Sequence, residues 1–217
     1  MSGEPGQSGA GPDGATRKVL ILFAHPAIGR SEANRVMFEA AGKLPGVTAI
    51  DLYGEYPTYD IDIDREQQRL LDHDVVVFQY PFYWYSTPSL LKEWQDLVLE
   101  YGFAYGESGN RLSGKIFLSA LTAAGAEADY QNDGSNLFSL RELLQPLEQT
   151  ANLCGMIYLP PFVLFRSRSA RQEGRIEPHV RQWLDLLQAL RDDKIDIRAC
   201  QPLALLNSWS ATGTGAN

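Results

Sequence analysis

The sequence predicts a doubly wound α/β domain: five parallel strands in the order 2-1-3-4-5, with helices on both faces of the sheet. Three observations predict it. Four apolar runs, at residues 19–23, 75–78, 116–121 and 156–159, are continuous rather than alternating, as expected of strands buried on both faces. A shorter run at 47–52 follows the Pro45-Gly46 turn. Helical periodicity fills the intervals, so the order reads β-α-β-α-β-α-β-α-β-α.

The first strand is 19–23. After Ser31, a good helix cap, Val36, Met37, Ala40, Ala41 and Leu44 recur at helical spacing. The second strand, 47–52, is followed by a short helix that begins after Asp64 and closes with Leu70 and Leu71. Beyond the third strand, Thr87 can cap and Pro88 can take the first helical position, ahead of one apolar face made of Leu90, Leu91, Trp94, Leu97 and Val98. Ser139 and Glu142 form a capping-box pair before Leu143, Leu144 and Leu147, and Pro146 splits that segment into two short helices. Val180, Trp183, Leu184, Leu187 and Leu190 mark the last helix. Connections 101–114 and 122–138 exceed simple turns, and long loops in a compact domain are usually functional. The folded domain is expected over 17–205, with disordered tails at 1–16, rich in Gly, Ser and Pro, and at 206–217.

Composition narrows the function. The chain has 217 residues and 44% hydrophobic content, enough for a substantial core in one domain. Its net charge of −8 argues against nucleic acid or an anionic membrane as the main partner. No run approaches the length of a membrane span, and the N-terminal residues lack the apolar stretch of a secretion signal. Cys154 and Cys200 have no redox or zinc spacing and suit a reducing cytoplasm.

Ligands of such sheets collect beyond the carboxyl ends of the strands, near the point where strand order reverses. The loops leaving strands 1, 3 and 4 therefore hold the site. The first, from His25 to Asn34, runs into a helix whose N–H groups can hold a phosphate, with Ser31 and Asn34 as further donors. Its single glycine makes it neither a dinucleotide fingerprint nor a Walker loop. The second places Phe82, Tyr83, Trp84 and Tyr85 in a row, which suits a flat ring ligand. The third, Thr122, Ala123, Ala124 and Gly125, is small enough for close backbone approach. Each loop alone also admits a plain reading: a helix cap, a core plug or subunit interface, and a turn. Together they supply a phosphate end, an aromatic wall and a close backbone approach, the parts that match a flavin mononucleotide.

The stretches AHPAIGRSEAN (24–34), PFYWYSTPSLLKEW (81–94), YGFAYG (101–106) and CGMIYLPPF (154–162) carry a resemblance. The chain resembles the NAD(P)H:quinone oxidoreductase family of flavodoxin-like flavoproteins, most of all the ancillary oxidoreductases of glutathione-regulated potassium efflux systems. The resemblance implies a cytoplasmic homodimer with FMN rather than FAD, NAD(P)H as substrate and a quinone or similar acceptor. It also implies, as the alternative role, a regulatory subunit held at the inner membrane by a potassium efflux transporter. Position by position, it implies that His25, Ser31, Glu32, Ala33 and Asn34 hold the phosphate and ribityl chain. Phe82, Tyr83, Trp84 and Tyr85 would line the isoalloxazine, and Thr122, Ala123, Ala124 and Gly125 its pyrimidine end. Tyr130 is implied as the active-site aromatic that orients the acceptor, and Tyr105 as an aromatic presented to the partner subunit's substrate. The chain departs from the family in having Ala124-Gly125 where two glycines are frequent. It also lacks the histidine that better-studied quinone reductases carry a few residues after the tyrosine; Asp133 to Asn136 stand there.

Other features read as structure. DIDID (60–64) lacks the Gly and Glu of a calcium loop and reads as a solvated loop with a helix cap. His73 reads as a surface residue, and His179 has no visible partner. No G-x-S-x-G elbow is present. Arg166, Arg168 and Arg171 read as a solvated basic run, with a nucleotide phosphate contact as the alternative.

Overall fold

The structure, a computed structural model, describes residues 16–210. Of the tails expected at 1–16 and 206–217, residues 1–15 and 211–217 lie outside the described residues. Strands β1 (Val19–Phe23), β2 (Val47–Asp51), β3 (Val75–Pro81) and β4 (Ile116–Thr122) pair in parallel in the order β2-β1-β3-β4. The fifth strand is split. Ile157–Tyr158 (β5) and Phe162–Leu164 (β6) both pair with β4, at Ile116–Phe117 and at Ala120–Thr122 respectively. Between them lie Pro160 and Pro161, which have no N–H to give to a ladder, so the pairing lapses there.

The predicted strand order is therefore the observed one, and the period of two explains the continuous runs. Leu20, Leu22, Val76, Phe78, Tyr80, Phe117 and Leu121 point into one core. Val19, Ile21, Val75, Val77, Ile116, Leu118 and Ala120 point into the other. Helices α2 (Leu52–Glu55), α3 (Ile63–Asp72), α4 (Ser89–Val98), α5 (Leu140–Leu143) and α6 (Gln145–Leu153) cover the first core. Helices α1 (Asn34–Ala41), α7 (Ile176–Arg191) and α8 (Ile197–Cys200) cover the second.

Several local expectations need correction. β3 runs on through Gln79, Tyr80 and Pro81, because Gln79 is fully buried and donates from Nε2 to the Asn34 carbonyl at 2.8 Å. Asp62, not Asp64, caps α3: its carboxylate accepts from the Arg65 N–H at 3.1 Å. Pro88 stands at the cap position of α4, and Thr87 Oγ1 is buried with no partner among the described residues. His73 is buried, with Nδ1 against the Arg69 carbonyl and Nε2 against Thr48 Oγ1, both at 2.7 Å. The Ser139–Glu142 capping box and the division at Pro146 are present as expected.

The folded chain also continues past 205. Leu206–Ser208 forms a 3₁₀ turn with Leu206 fully buried, and the Leu206 N–H donates to the Pro161 carbonyl at 2.9 Å. Asn207 takes the Val163 N–H on its Oδ1 at 2.8 Å and gives its Nδ2 to the Val163 carbonyl at 3.0 Å. The expected tail at 206–217 is thus folded over its first residues, through contacts that a short polar stretch did not disclose.

α4 is fixed from below. Glu66 on α3 is fully buried, accepts from Tyr56 OH at 2.6 Å and from Trp94 Nε1 at 2.9 Å, and pairs with Arg69. Both of its oxygens meet donors and Arg69 supplies the countercharge, the condition under which a buried carboxylate is tolerated. The bond to Trp94 holds the helix that follows the aromatic loop.

Candidate flavin-type active site

Register brings the three loops together. Phe23 at the end of β1 lies beside Gln79, and Pro81 at the end of β3 lies beside Thr122 at the end of β4. The chain therefore leaves the sheet at neighbouring points next to the reversal of strand order, where a crevice opens. That crevice has a volume of about 1080 Å³ and is lined by residues of all three loops.

At one end stands the start of α1. Ser31 and Asn34 are buried; Ser31 Oγ accepts from the Arg35 N–H at 3.1 Å, two residues before the actual cap position at Ala33. Its hydroxyl hydrogen remains for an acceptor in the cleft. Asn34 Nδ2 donates to Thr122 Oγ1 at 2.8 Å, and Asn34 Oδ1 is buried with no partner among the described residues. A buried acceptor left open in a cleft costs free energy unless something there donates to it. Burial lowers the His25 pKa, and its Nδ1 accepts from the Ala27 N–H at 3.1 Å, so the neutral ring keeps its hydrogen on Nε2. Glu32 also lines this end, and Arg171 neutralises it at 3.3 Å.

The aromatic wall is a tight turn. The Ser86 N–H donates to the Tyr83 carbonyl at 3.0 Å, and the two central residues, Trp84 and Tyr85, have φ of 49° and 61°. Positive φ at both central positions is the type I′ arrangement, normally filled by Asn-Gly. Here it turns Trp84 outward, 93% exposed, while Phe82 stays buried against Tyr130 at 6.2 Å and Tyr85 OH donates to Asn136 Oδ1 at 3.0 Å.

The Thr122–Gly125 loop divides its work. Thr122 and Ala124 face the cleft. Ala123 is buried, donating to the Leu164 carbonyl and accepting from the Ser167 N–H, both at 3.0 Å. Gly125 lies under Tyr130: an added Cβ would come within 2.9 Å of Asp129 Oδ2 and 3.2 Å of Tyr130 Cε2. That close approach lets Tyr130 reach the cleft, and burial raises its pKa.

Of the expected site residues, the cleft gathers His25, Ser31, Glu32, Ala33, Asn34, Phe82, Tyr83, Trp84, Tyr85, Thr122, Ala124 and Tyr130. Ala123 and Gly125 brace it from behind. Tyr105 lies elsewhere, on a second cavity of about 320 Å³ with Tyr80, Leu143 and Leu147; Tyr85 lines both cavities. The cleft is also lined by Ala27, Arg30, Pro81, Ser167 and Arg168, none of them among the expected site residues, although Arg168 stands in the basic run for which a nucleotide phosphate contact is the alternative reading. Ser167 and Arg168 follow the carboxyl end of the last strand, so the strand-end rule applied to loops 1, 3 and 4 finds them when extended to that strand.

Residues 17–187 match the model of the family described as Flavodoxin-like fold. The chain belongs to that family. It is 48% identical over 153 residues to the glutathione-regulated potassium-efflux system ancillary protein KefG of Cronobacter sakazakii, covering 70% of this chain and 83% of that protein. General stress protein 14 of Treponema denticola, solved in complex with FMN, superposes with a TM-score of 0.75 at 40% identity, covering 80% of this chain and 99% of that one. An NADPH-quinone reductase from P. pentosaceus superposes with a TM-score of 0.70 at 29% identity, covering 78% and 96%. The likeness expected from the motifs is thus recovered by comparisons that span 70–80% of the chain. No helix among the described residues is long and apolar enough to cross a membrane.

Proposed function

We propose that this family member binds FMN in the cleft and catalyses electron transfer from NAD(P)H to a quinone. The observation that carries the reading is the buried, open Asn34 Oδ1 beside the start of α1, facing an aromatic wall across one cleft. The residues fit the cofactor. The helix start and Ser31 suit the phosphate, Asn34 Oδ1 suits a ribityl hydroxyl, and the Tyr83–Ser86 turn suits the ring. When bound, FMN would supply the redox chemistry between NAD(P)H and the quinone, a hydride relay through flavin N5, and the cleft residues would hold the two substrates in turn in one place. The chain's own residues position and desolvate. Thr122 orients the Asn34 amide, Phe82 excludes water, His25 offers a neutral N–H, and the Tyr130 hydroxyl orients the acceptor.

The FMN complex of the Treponema denticola structure and the reductase activity named for the P. pentosaceus structure support the reading. A second reading rests on the likeness to an ancillary protein of potassium efflux: the protein works in the cytoplasm, docked at the inner membrane on an efflux transporter as its regulatory flavoprotein. Transporter co-purification that persists after loss of flavin would favour it.

The cofactor assignment is tested by absorption of the purified protein and by chromatography of the flavin released with acid. FMN is expected; FAD alone or no flavin overturns the reading. Asn34→Asp places a negative charge beside the phosphate and should weaken FMN by on the order of 2–4 kcal/mol. Ser31→Ala should weaken it by about 1 kcal/mol, since the backbone donors remain. Unchanged affinity in Asn34→Asp would put the phosphate elsewhere.

A further inference from the structure

The loop that follows β6 holds four arginines, and three of them have carboxylate partners. Arg166 pairs with Glu173 at 3.2 Å, Arg171 with Glu32 at 3.3 Å, and Arg175 with Glu173 at 2.6 Å. Arg168 has no carboxylate partner among the described residues, and it is the one of the four that lines the cleft. The loop is held against the site. The Arg166 N–H donates to the Gly125 carbonyl at 2.8 Å and the Ser167 N–H to the Ala123 carbonyl at 3.0 Å. The Arg175 guanidinium donates to the carbonyls of Phe165 and Arg166, both at 2.9 Å. Arg166 itself is held at φ 49°, a left-handed conformation that this web of bonds maintains.

The Glu32–Arg171 pair brings the far side of this loop to the phosphate end. Glu32 directly follows Ser31 at the approach to α1, so Arg168 lies on the stretch between Ser167, held to the Ala123 carbonyl, and Arg171, held beside the helix start. The same pair cancels the carboxylate that would repel an anion there. Arg30 and Arg168 then remain as cleft cations in a chain of net charge −8. That local charge matches a phosphate monoester dianion.

We propose that Arg168 is the side-chain cation that binds the phosphate of the flavin and makes the cleft select FMN over riboflavin. The inference rests on the flavin reading above and adds a residue and a selectivity to it. The 2′-phosphate of NADPH presents the same chemistry, and the test separates the two.

The full-length chain, freed of flavin, is titrated with FMN and with riboflavin as the wild type, Arg168→Gln and Arg166→Gln. Loss of one charge-assisted contact should weaken FMN about ten- to a hundred-fold in Arg168→Gln, leave riboflavin unchanged, and shrink as salt is raised. Arg166→Gln, which removes only the Glu173 pair, should match the wild type for both flavins. Equal loss for FMN and riboflavin in Arg168→Gln means a loop defect and overturns the proposal. Intact FMN affinity also overturns it. If NADPH loses its KM advantage over NADH in that variant while FMN affinity is intact, Arg168 serves the dinucleotide instead. If the wild type binds neither flavin, the flavin reading falls and this assignment falls with it; if the wild type binds FMN, failure concerns Arg168 alone.

Discussion

On the inner face of α7, His179 Nε2 and Trp183 Nε1 are buried one helical turn apart with no partner among the described residues. His179 stacks on Phe162 at 4.4 Å, and burial, together with the nearby Arg175 charge, lowers its pKa to about 4. The neutral ring is therefore the one that fits. The unfolded chain takes up the proton near the ordinary value of 6.5, while the fold resists until about 4. Stability from this group is complete above 6.5 and is lost as the pH falls through that window. Between pH 7 and pH 5 the loss should be about 2 kcal/mol. His179→Phe keeps the stack and removes the proton site. Urea unfolding at the two pH values should show a smaller difference for the variant than for the wild type; equal differences would mean that other groups set the acid limb. The same residue marks a limit of sequence reading: its place on a helix was legible, but its burial depends on Phe162, which joins the sheet only after the Pro160-Pro161 break.

The Tyr83–Ser86 turn is the element whose sequence disagrees most with its backbone. Two bulky residues occupy positions that favour glycine, at roughly 1–2 kcal/mol each, and Trp84 recovers almost nothing by contact within the chain. Such strain points to a task for the ring outside its own fold. Trp84→Gly should raise the urea midpoint by an amount worth up to about 1 kcal/mol, the relief being partly offset by the added freedom of the unfolded glycine. It should also weaken FMN. A lower midpoint would show that the indole packs against protein. The elements themselves were largely legible. Strands buried on both faces show as continuous apolar runs, and the capping box shows as Ser139 and Glu142. What misled was chemistry with two uses: Gln79 reads as a strand end yet sits fully buried in β3, and Asp62 and Asp64 are equally good caps until the helix start is seen. In the site, the aromatic run and Ser31–Asn34 stood out by type. Arg168 did not, because an arginine among arginines reads as solvated until its neighbours are seen to be paired.

At the scale of the whole molecule, Trp84, Tyr101, Leu137, Phe138 and Leu153 are each more than half exposed on an otherwise well-buried protein. Apolar surface of this extent marks an interaction face where it is contiguous, and the proposal of a two-fold dimer follows from it and from the aromatic loop beside the cleft. Sedimentation equilibrium at micromolar concentration should give twice the chain mass, and Trp84→Gly should shift the balance toward monomer; a wild-type monomer would count against the dimer. The split fifth strand is one of the two margins of the sheet. A strand at the margin of a sheet offers free N–H and C=O groups on which a foreign strand can template itself. In this protein the two prolines withhold donors, and the Asn207 amide occupies both backbone groups of Val163, while Gln182 Nε2 holds the Asn207 carbonyl at 2.7 Å. One side chain thus stands in for a neighbouring strand. Its loss would free both backbone groups of Val163 and should open this margin of the sheet to strand addition, a safeguard supplied by a residue beyond α8.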